Sequence, residues 1–294
     1  MKVSHHHHNH TASSGLKTAF FLNLVFALLE LVGGFWTNSL AIISDSLHDL
    51  GDSVSLGLSW YLGRYAEREE DGRYSYGYRR YSLLGALLNA LILIGGGVLM
   101  LSEALPRLLN PKPPNAQGMA IFAVIGILVN GAAALRLRDN TSWNAKMVSW
   151  HLLEDVLGWA GVLIVSVVLL FRDIPILDPL LSIVITLYVL YNVAGNLKKT
   201  LALFLQATPD DLDTKEIEAA LYTIENVCDV HHTHIWSLDG THHVLTTHLV
   251  LEGDATKEVA VDVKCAAKMA LAELDLTHIT IEIEYGGETC SMHP

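Results

Sequence analysis

Six stretches of this chain, at about 16–36, 40–63, 81–105, 116–137, 147–171 and 176–197, stay apolar for close to the ~20 residues a helix needs to cross ~30 Å of hydrocarbon. A helix satisfies its own backbone hydrogen bonds, so such segments fold in lipid as spanning helices and are excluded from most other architectures. The 294 residues are 51% hydrophobic and only 17% charged, which argues against a soluble enzyme of this size. The predicted fold class is therefore an α-helical membrane protein built on a six-helix transmembrane bundle. The first apolar run is too long for a signal peptide, lacks a small-residue cleavage site and follows a His-rich rather than a basic segment, so it is expected to remain in the mature chain.

The basic residues sort by loop. Arg64, Arg68, Arg73, Arg79 and Arg80 lie between the second and third runs, Arg136, Arg138 and Lys146 between the fourth and fifth, and Lys198 and Lys199 after the sixth. The opposite loops hold only Arg107, Lys112 and Arg172, which puts both termini in the cytoplasm of a multi-pass protein of the cell inner (plasma) membrane. A net charge of −12 argues against nucleic acid as a partner. Cys228, Cys265 and Cys290 are too few and too scattered for a disulfide framework and fit a reducing compartment.

After Lys199 the continuous hydrophobicity ends, and Thr208-Pro209 marks a boundary. Helical spacing over 213–225 and 256–274 brackets two strands, 227–238 and 242–251, joined at Asp239-Gly240, and "HITIEIEY" alternates as a last strand. Ile279, Ile281, Ile283 and Tyr285 share one face of it. The order α-β-β-α-β predicts a small ferredoxin-like α+β layer with its helices on one face of the sheet. The expected organisation is a His-rich cytoplasmic N-terminal segment (1–15), the transmembrane domain (16–200), a cytoplasmic domain (208–286) and a short tail (287–294). "SHHHHNHT" is interrupted by Asn9 and reads as a native, disordered, weak metal-gathering segment rather than a purification remnant.

The second apolar run carries "SDSLHDLGDS", four ionisable side chains where each ionised Asp costs roughly 3 kcal/mol. At 100° per residue, Asp45, His48, Asp49 and Asp52 fall within an arc of roughly 100°, so they face one thing together. The fifth run carries "WHLLEDVLGW", with His151 and Asp155 one turn apart and Glu154 beside them. On the predicted topology Asp52 and His151 both lie ~10 Å from the inner boundary, so the two pairs meet at one level. Two imidazoles and two carboxylates make a four-coordinate N/O site, the number and type that zinc prefers. A divalent ion would also offset the burial of the carboxylates. Interhelical hydrogen bonding is the competing explanation for a single pair and a poor one for two pairs at matched depth. Spacing alone leaves Asp45 with Asp49 open as an alternative pair on the second run.

At these residues the sequence resembles the cation diffusion facilitator family, and within it the zinc-transporting branch. "SDSLHDLGD" is similar to that branch's helix 2 motif and "HLLEDVLGWAGVL" to its helix 5 motif; "YSYGYRRYSLLGALLNALIL", "LDPLLSIVI", "VHHTHIWSLDG" and "HITIEIE" extend the likeness from about Leu16 to Tyr285. The resemblance implies a homodimeric, proton-coupled exporter of divalent metal whose transport ligands are His48, Asp52, His151 and Asp155. On the same ground Asp45 and Asp49 become second-sphere groups or alternative ligands. It further implies a regulatory metal site in the cytoplasmic domain at positions matching His231, His248 and Glu284, with Glu282 contributing in some members and His234 completing the His-x-x-His-x-Trp segment. The tail holds other ligand types as well, including His242, His278 and Cys290. No histidine lies in the loop "AEREEDGRYSYGYRR", so a further loop site of the kind some relatives carry is not expected, with Asp71 its one weak candidate.

The expected cycle loads Zn2+ from the cytoplasm, rocks the bundle and releases the ion outward as protons take over the ligands, because metal needs neutral imidazole and ionised carboxylate. Cd2+, Co2+ and Fe2+ are alternative cargoes. An intramembrane zinc hydrolase is the competitor from another class, but HExxH is missing from the sequence and Glu154 is its only base beside the site. A channel is disfavoured because four tight ligands hold an ion too long.

Overall fold

The computed structural model describes residues 9–138, 143–288 and 290. Its elements are α1 (Asn9–Thr37), α2 (Leu40–Ala66), α3 (Tyr81–Leu109), α4 (Ala116–Arg138), α5 (Trp143–Phe171), α6 (Leu177–Phe204), α7 (Thr214–Tyr222), β1 (Val227–Ser237), β2 (His243–Leu251), α8 (Lys257–Ala270) and β3 (Leu276–Tyr285). They group into two compact units, one of residues up to 63 with 85–197 and the other of 64–84 with 198 onward.

In the first unit the apolar runs are helices, as expected. Tyr81–Leu109, Ala116–Arg136, Leu152–Phe171 and Leu177–Phe204 are long and apolar enough to cross a membrane, and α1 adds an apolar stretch at Asn23–Thr37. α1 departs from expectation at its start. The His-rich segment expected over 1–15, with "SHHHHNHT" expected to be disordered, is helical from Asn9 onward, while His5–His8 lie outside the described residues.

α2 is the enclosed helix of the six. Among the described large apolar side chains that are exposed, α2 contributes only Tyr61, whereas Val32, Leu99, Leu128, Leu157 and Tyr191 show that the other five keep a lipid-facing stripe. Ala41 and Ile42 of α2 pack against Met119 and Ala123 of α4 and Trp159 and Val162 of α5. On another side Leu40 and Ile43 meet Met100 and Ala104 of α3, with Leu31 and Ile183 alongside. Close approach of α4 and α5 depends on Gly126, where a Cβ would collide with the Trp159 ring.

The turn into α2 is fixed by polar contacts. Asn38, one of the few residue types that adopt φ +54 readily, ends α1. Arg107 holds Asn38 by donating to its backbone oxygen at 3.2 Å and its Oδ1 at 3.1 Å. The Asp178 carboxylate of α6 then accepts from Ser39 Oγ at 2.5 Å, from the Leu40 N–H at 2.7 Å and from the Ala41 N–H at 3.3 Å. An anion thus satisfies two of the orphan donors at the positive end of α2.

In the second unit β1 pairs antiparallel with β2, and β2 pairs parallel with β3 across the α8 crossover. Ile217 and Leu221 of α7, Ala260, Val263 and Ala267 of α8 and Leu245, Leu249 and Leu251 of β2 form one core. Ile279, Ile281, Ile283 and Tyr285 pack against it, so both helices cover one face, as the alternation of β3 predicts. The β1–β2 turn runs through Asp239 and Gly240, the latter at φ +97, a conformation glycine adopts without steric cost.

Candidate metal centres

Within the first unit, packing fixes the register of α2 against α5. Ala41 and Ile42 meet Trp159 and Val162, and one turn further Asp45 Oδ1 comes within 3.4 Å of where a Cβ on Gly158 would stand. The pairing is therefore antiparallel. Continued by single turns, it brings the levels of His48 and Asp49 to Asp155 and that of Asp52 to His151. His48 Nε2 lies 3.7 Å from Asp52 Oδ2, both side chains about one-quarter exposed. Asp45 and Asp49 are buried, and Asp155 acts electrostatically on Asp45 from the facing helix. Glu154 is half-buried, and the side chain of His151 lies outside the described residues. His48 and Thr186 are among the side chains lining a cavity of about 120 Å³ between α2, α3 and α6, walled mainly by Leu47, Val54, Ile92 and Leu93.

A carboxylate that sequence reasoning missed joins this group from α1. Glu30 is 1% exposed and lies near enough to Asp49, Asp45 and Asp155 to feel their charges. Its signal was available, since a Glu inside an apolar run has the same cost as the Asp residues of the second run.

In the second unit one ligand atom each from His231, His248, Glu284 and Cys290 lies within 4.8 Å of all the others. β2 supplies His248 from the face opposite the helices. β1 would place His231 on the helix side together with Thr233 and Ile235, but an irregularity in pairing between His231 and His234 shifts the alternation. His232 sits inside it at φ +52, and His231 pairs directly across from His248. His248 Nδ1 donates to Glu284 Oε1 at 2.7 Å and His231 Nε2 lies 3.2 Å from Glu284 Oε2. Glu284 is buried, which by itself raises a carboxyl pKa. Hydrogen bonds from His248 and Cys290 and the charges of His231 and His248 outweigh that, so it lies below its ordinary value.

The remaining nitrogens face carboxylates too, His248 Nε2 at 3.4 Å from Glu282 Oε2 and His231 Nδ1 at 3.0 Å from Asp229 Oδ2. Such partners orient imidazoles that bind metal. Of the expected set, His231, His248 and Glu284 come together, Glu282 stands at the edge, and His234 is exposed one rung away opposite Thr246. Cys290, five residues past the end of β3, enters the cluster, which no spacing rule foretold. Asp71 instead holds its own loop, accepting from the Arg73 and Tyr74 N–H groups at 2.8 Å and from the Tyr78 hydroxyl at 2.7 Å. Those three donors lower its pKa, the Tyr78 hydroxyl most.

Six long helices, four of them long and apolar enough to cross a membrane, with buried acids on the enclosed one and a small sheet domain carrying a His/Cys/Glu cluster, define a membrane transporter for metal cations rather than an enzyme. The chain belongs to the cation efflux family: residues 16–205 match its cation efflux transmembrane domain and residues 209–285 the cytoplasmic domain of cation efflux proteins. It is 34% identical to the cation efflux system protein CzcD of Alcaligenes sp. strain CT14 over 95% of this chain and 89% of that one. It is 28% identical to the cadmium, cobalt and zinc/H(+)-K(+) antiporter of Bacillus subtilis over 95% and 91%, and 29% identical to the zinc transporter ZitB of Escherichia coli over 95% and 92%. The hydrolase reading, with Glu154 as base, falls with this assignment.

Proposed function

We propose that this protein exports Zn2+ from the cytoplasm in exchange for protons, by alternating access through a four-ligand site of His48, Asp52, His151 and Asp155. The observation that carries the reading is the antiparallel register of α2 and α5, which levels the two HxxxD pairs. Each imidazole must be neutral and each carboxylate ionised to hold the ion, so protons arriving from the far side displace it. Relatives named for zinc, cadmium and cobalt support zinc as cargo with the other two as competitors, and one named as an antiporter supports the exchange.

The division of labour is transport by 16–200 and regulation by 208–286, with both termini in the cytoplasm and the bundle in the inner membrane. The cytoplasmic domain pairs two copies of the chain. Metal at His231, His248 and Glu284, with Glu282 and Cys290 at hand, stabilises that pairing when cytoplasmic zinc is high. His234 is left a supporting role.

The test is zinc uptake into sealed proteoliposomes under an imposed proton gradient. Wild type is expected to accumulate zinc only with the gradient, Asp52→Ala and Asp155→Ala to lose uptake by at least a hundredfold, and excess Cd2+ or Co2+ to compete. Zinc binding without gradient-driven movement would remove the exchange mechanism.

A further inference from the structure

The chain beyond β3 turns back on the sheet. The Gly286 N–H donates to the Leu251 oxygen at 2.8 Å, the Glu288 N–H to the Tyr285 oxygen at 2.9 Å, and the Tyr285 N–H to Glu288 Oε2 at 3.0 Å. Gly287 lies between them at φ +94, a conformation that glycine adopts without steric cost. Gly253 and Gly286 pass so closely that a Cβ on Gly253 would stand 2.9 Å from the Gly286 oxygen. The turn delivers Cys290 to the cluster, with Sγ 3.7 Å from His248 Nδ1 and within 4.8 Å of ligand atoms of His231 and Glu284. His231 Nε2 and His248 Nδ1 face Glu284, while His231 Nδ1 is held by Asp229 and His248 Nε2 by Glu282. Each ring therefore presents one nitrogen to the cluster and has the other fixed by a carboxylate, the arrangement of metal-ligating histidines.

We propose that Cys290 is the specificity-determining ligand of this cluster: with His231, His248 and Glu284 it completes a four-ligand site that takes a soft divalent cation, Cd2+ before Zn2+. A coordinating thiol is deprotonated by the metal it binds, so two neutral imidazoles, one carboxylate and one thiolate carry a charge of −2. A divalent ion cancels that charge, whereas a monovalent soft ion such as Cu+ leaves −1. Four ligands from one chain close the site, as in centres that hold their metal, and leave no position for a reacting water. Softness decides among divalent ions. Thiolate sulfur is the soft donor, zinc is borderline and Cd2+ is softer still, while the two imidazoles bind either. The transport ligands His48, Asp52, His151 and Asp155 include no sulfur, so the cargo site and the sheet site rank the two ions differently. The other cysteines, Cys228 and Cys265, are exposed and lie outside the cluster. The assignment rests on the sheet domain's regulatory role and names its ion: the domain responds to Cd2+ at lower free concentrations than to Zn2+.

The experiment is Cd2+ titration of the detergent-purified full chain carrying Cys228→Ser and Cys265→Ser. Free metal is set by a chelator buffer, and binding is read from the thiolate-to-Cd2+ charge-transfer band in the ultraviolet, where sites without sulfur are silent. One Cd2+ per chain is expected, the band is expected to vanish in Cys290→Ser, and Zn2+ should displace Cd2+ only at free concentrations at least tenfold higher. His248→Ala should weaken Cd2+ binding at least tenfold, which a thiol binding alone would not show. The proposal is overturned if the band is missing or survives in Cys290→Ser, if less than a tenfold excess of Zn2+ displaces Cd2+, or if His248→Ala weakens binding less than tenfold. Should His248→Ala fail to elute as a monodisperse species, Glu284→Gln decides by the same threshold. Loss of gradient-driven zinc uptake with the Cd2+ band intact counts against the export mechanism and leaves this site standing, and a missing band with uptake intact does the reverse.

Discussion

His231 reaches His248 because of the residue that follows it. At φ +52, His232 takes the left-handed conformation that β-branched residues avoid, and the shift it introduces turns His231 to the face bearing His248 and Glu284. His232→Gly should therefore keep the cluster intact, whereas His232→Val should cost ~1–3 kcal/mol and weaken zinc binding; calorimetric titration of the two variants separates them. Cys290 makes a spectroscopic prediction. Co2+ bound at this cluster should show a thiolate-to-metal charge-transfer band in the near ultraviolet that disappears in Cys290→Ser, while the visible bands, fed by the imidazoles, persist. Absence of the band in the wild type would remove Cys290 from the ligand set.

At the scale of elements, the start of α2 is held by a side chain from α6. Asp178→Ala would leave the Ser39 hydroxyl and the Leu40 and Ala41 N–H groups without their acceptor in a buried turn, at ~1–3 kcal/mol for each group that finds no other. Thermal unfolding of the detergent-solubilised protein should show a marked drop for Asp178→Ala and a smaller one for Asp178→Asn, whose side-chain oxygen still accepts. The α4–α5 contact offers the opposite perturbation. Gly126→Leu forces a side chain into the Trp159 ring, and overpacking of ~1–3 kcal/mol is expected to lower the unfolding midpoint and to disturb the α2–α5 register that Trp159 helps to set. An equal midpoint for wild type and Gly126→Leu would mean that the two helices are not packed this closely.

For the whole molecule, pH acts on the sheet unit through Asp239. Arg79 can only donate, so His242 Nε2 accepts from it at 2.7 Å and His242 Nδ1–H is left to face Asp239 Oδ2, also at 2.7 Å. Burial would raise the Asp239 pKa, but hydrogen bonds from the Thr241 and His242 N–H groups and from the His242 and Thr241 side chains outweigh it, and the value is lowered. A carboxyl whose pKa is lower in the folded state stabilises above its unfolded value of about 3.9 and loses that contribution as pH falls through the folded value. Proteolysis of the 64–84 segment should accordingly rise below about pH 4, with a weaker pH dependence in Asp239→Asn. An identical profile in the variant would show that Asp239 does not hold the turn.

The sequence alone determined the spans, the order of the sheet domain and both HxxxD pairs, because length, period and a charged residue in hydrocarbon are local properties with large energies behind them. His231, His248 and Glu284 were legible only through likeness to a family, and the strand alternation by itself pointed His231 the wrong way. What the tertiary structure decided are facts of contact: α2 as the enclosed helix, Asp178 at its start, Glu30 brought from α1 to the acids of α2, and Cys290 folded back from beyond β3. None of these follows from spacing along the chain, since each depends on which of several similar apolar faces packs against which, and that choice rests on small differences in fit summed over many side chains.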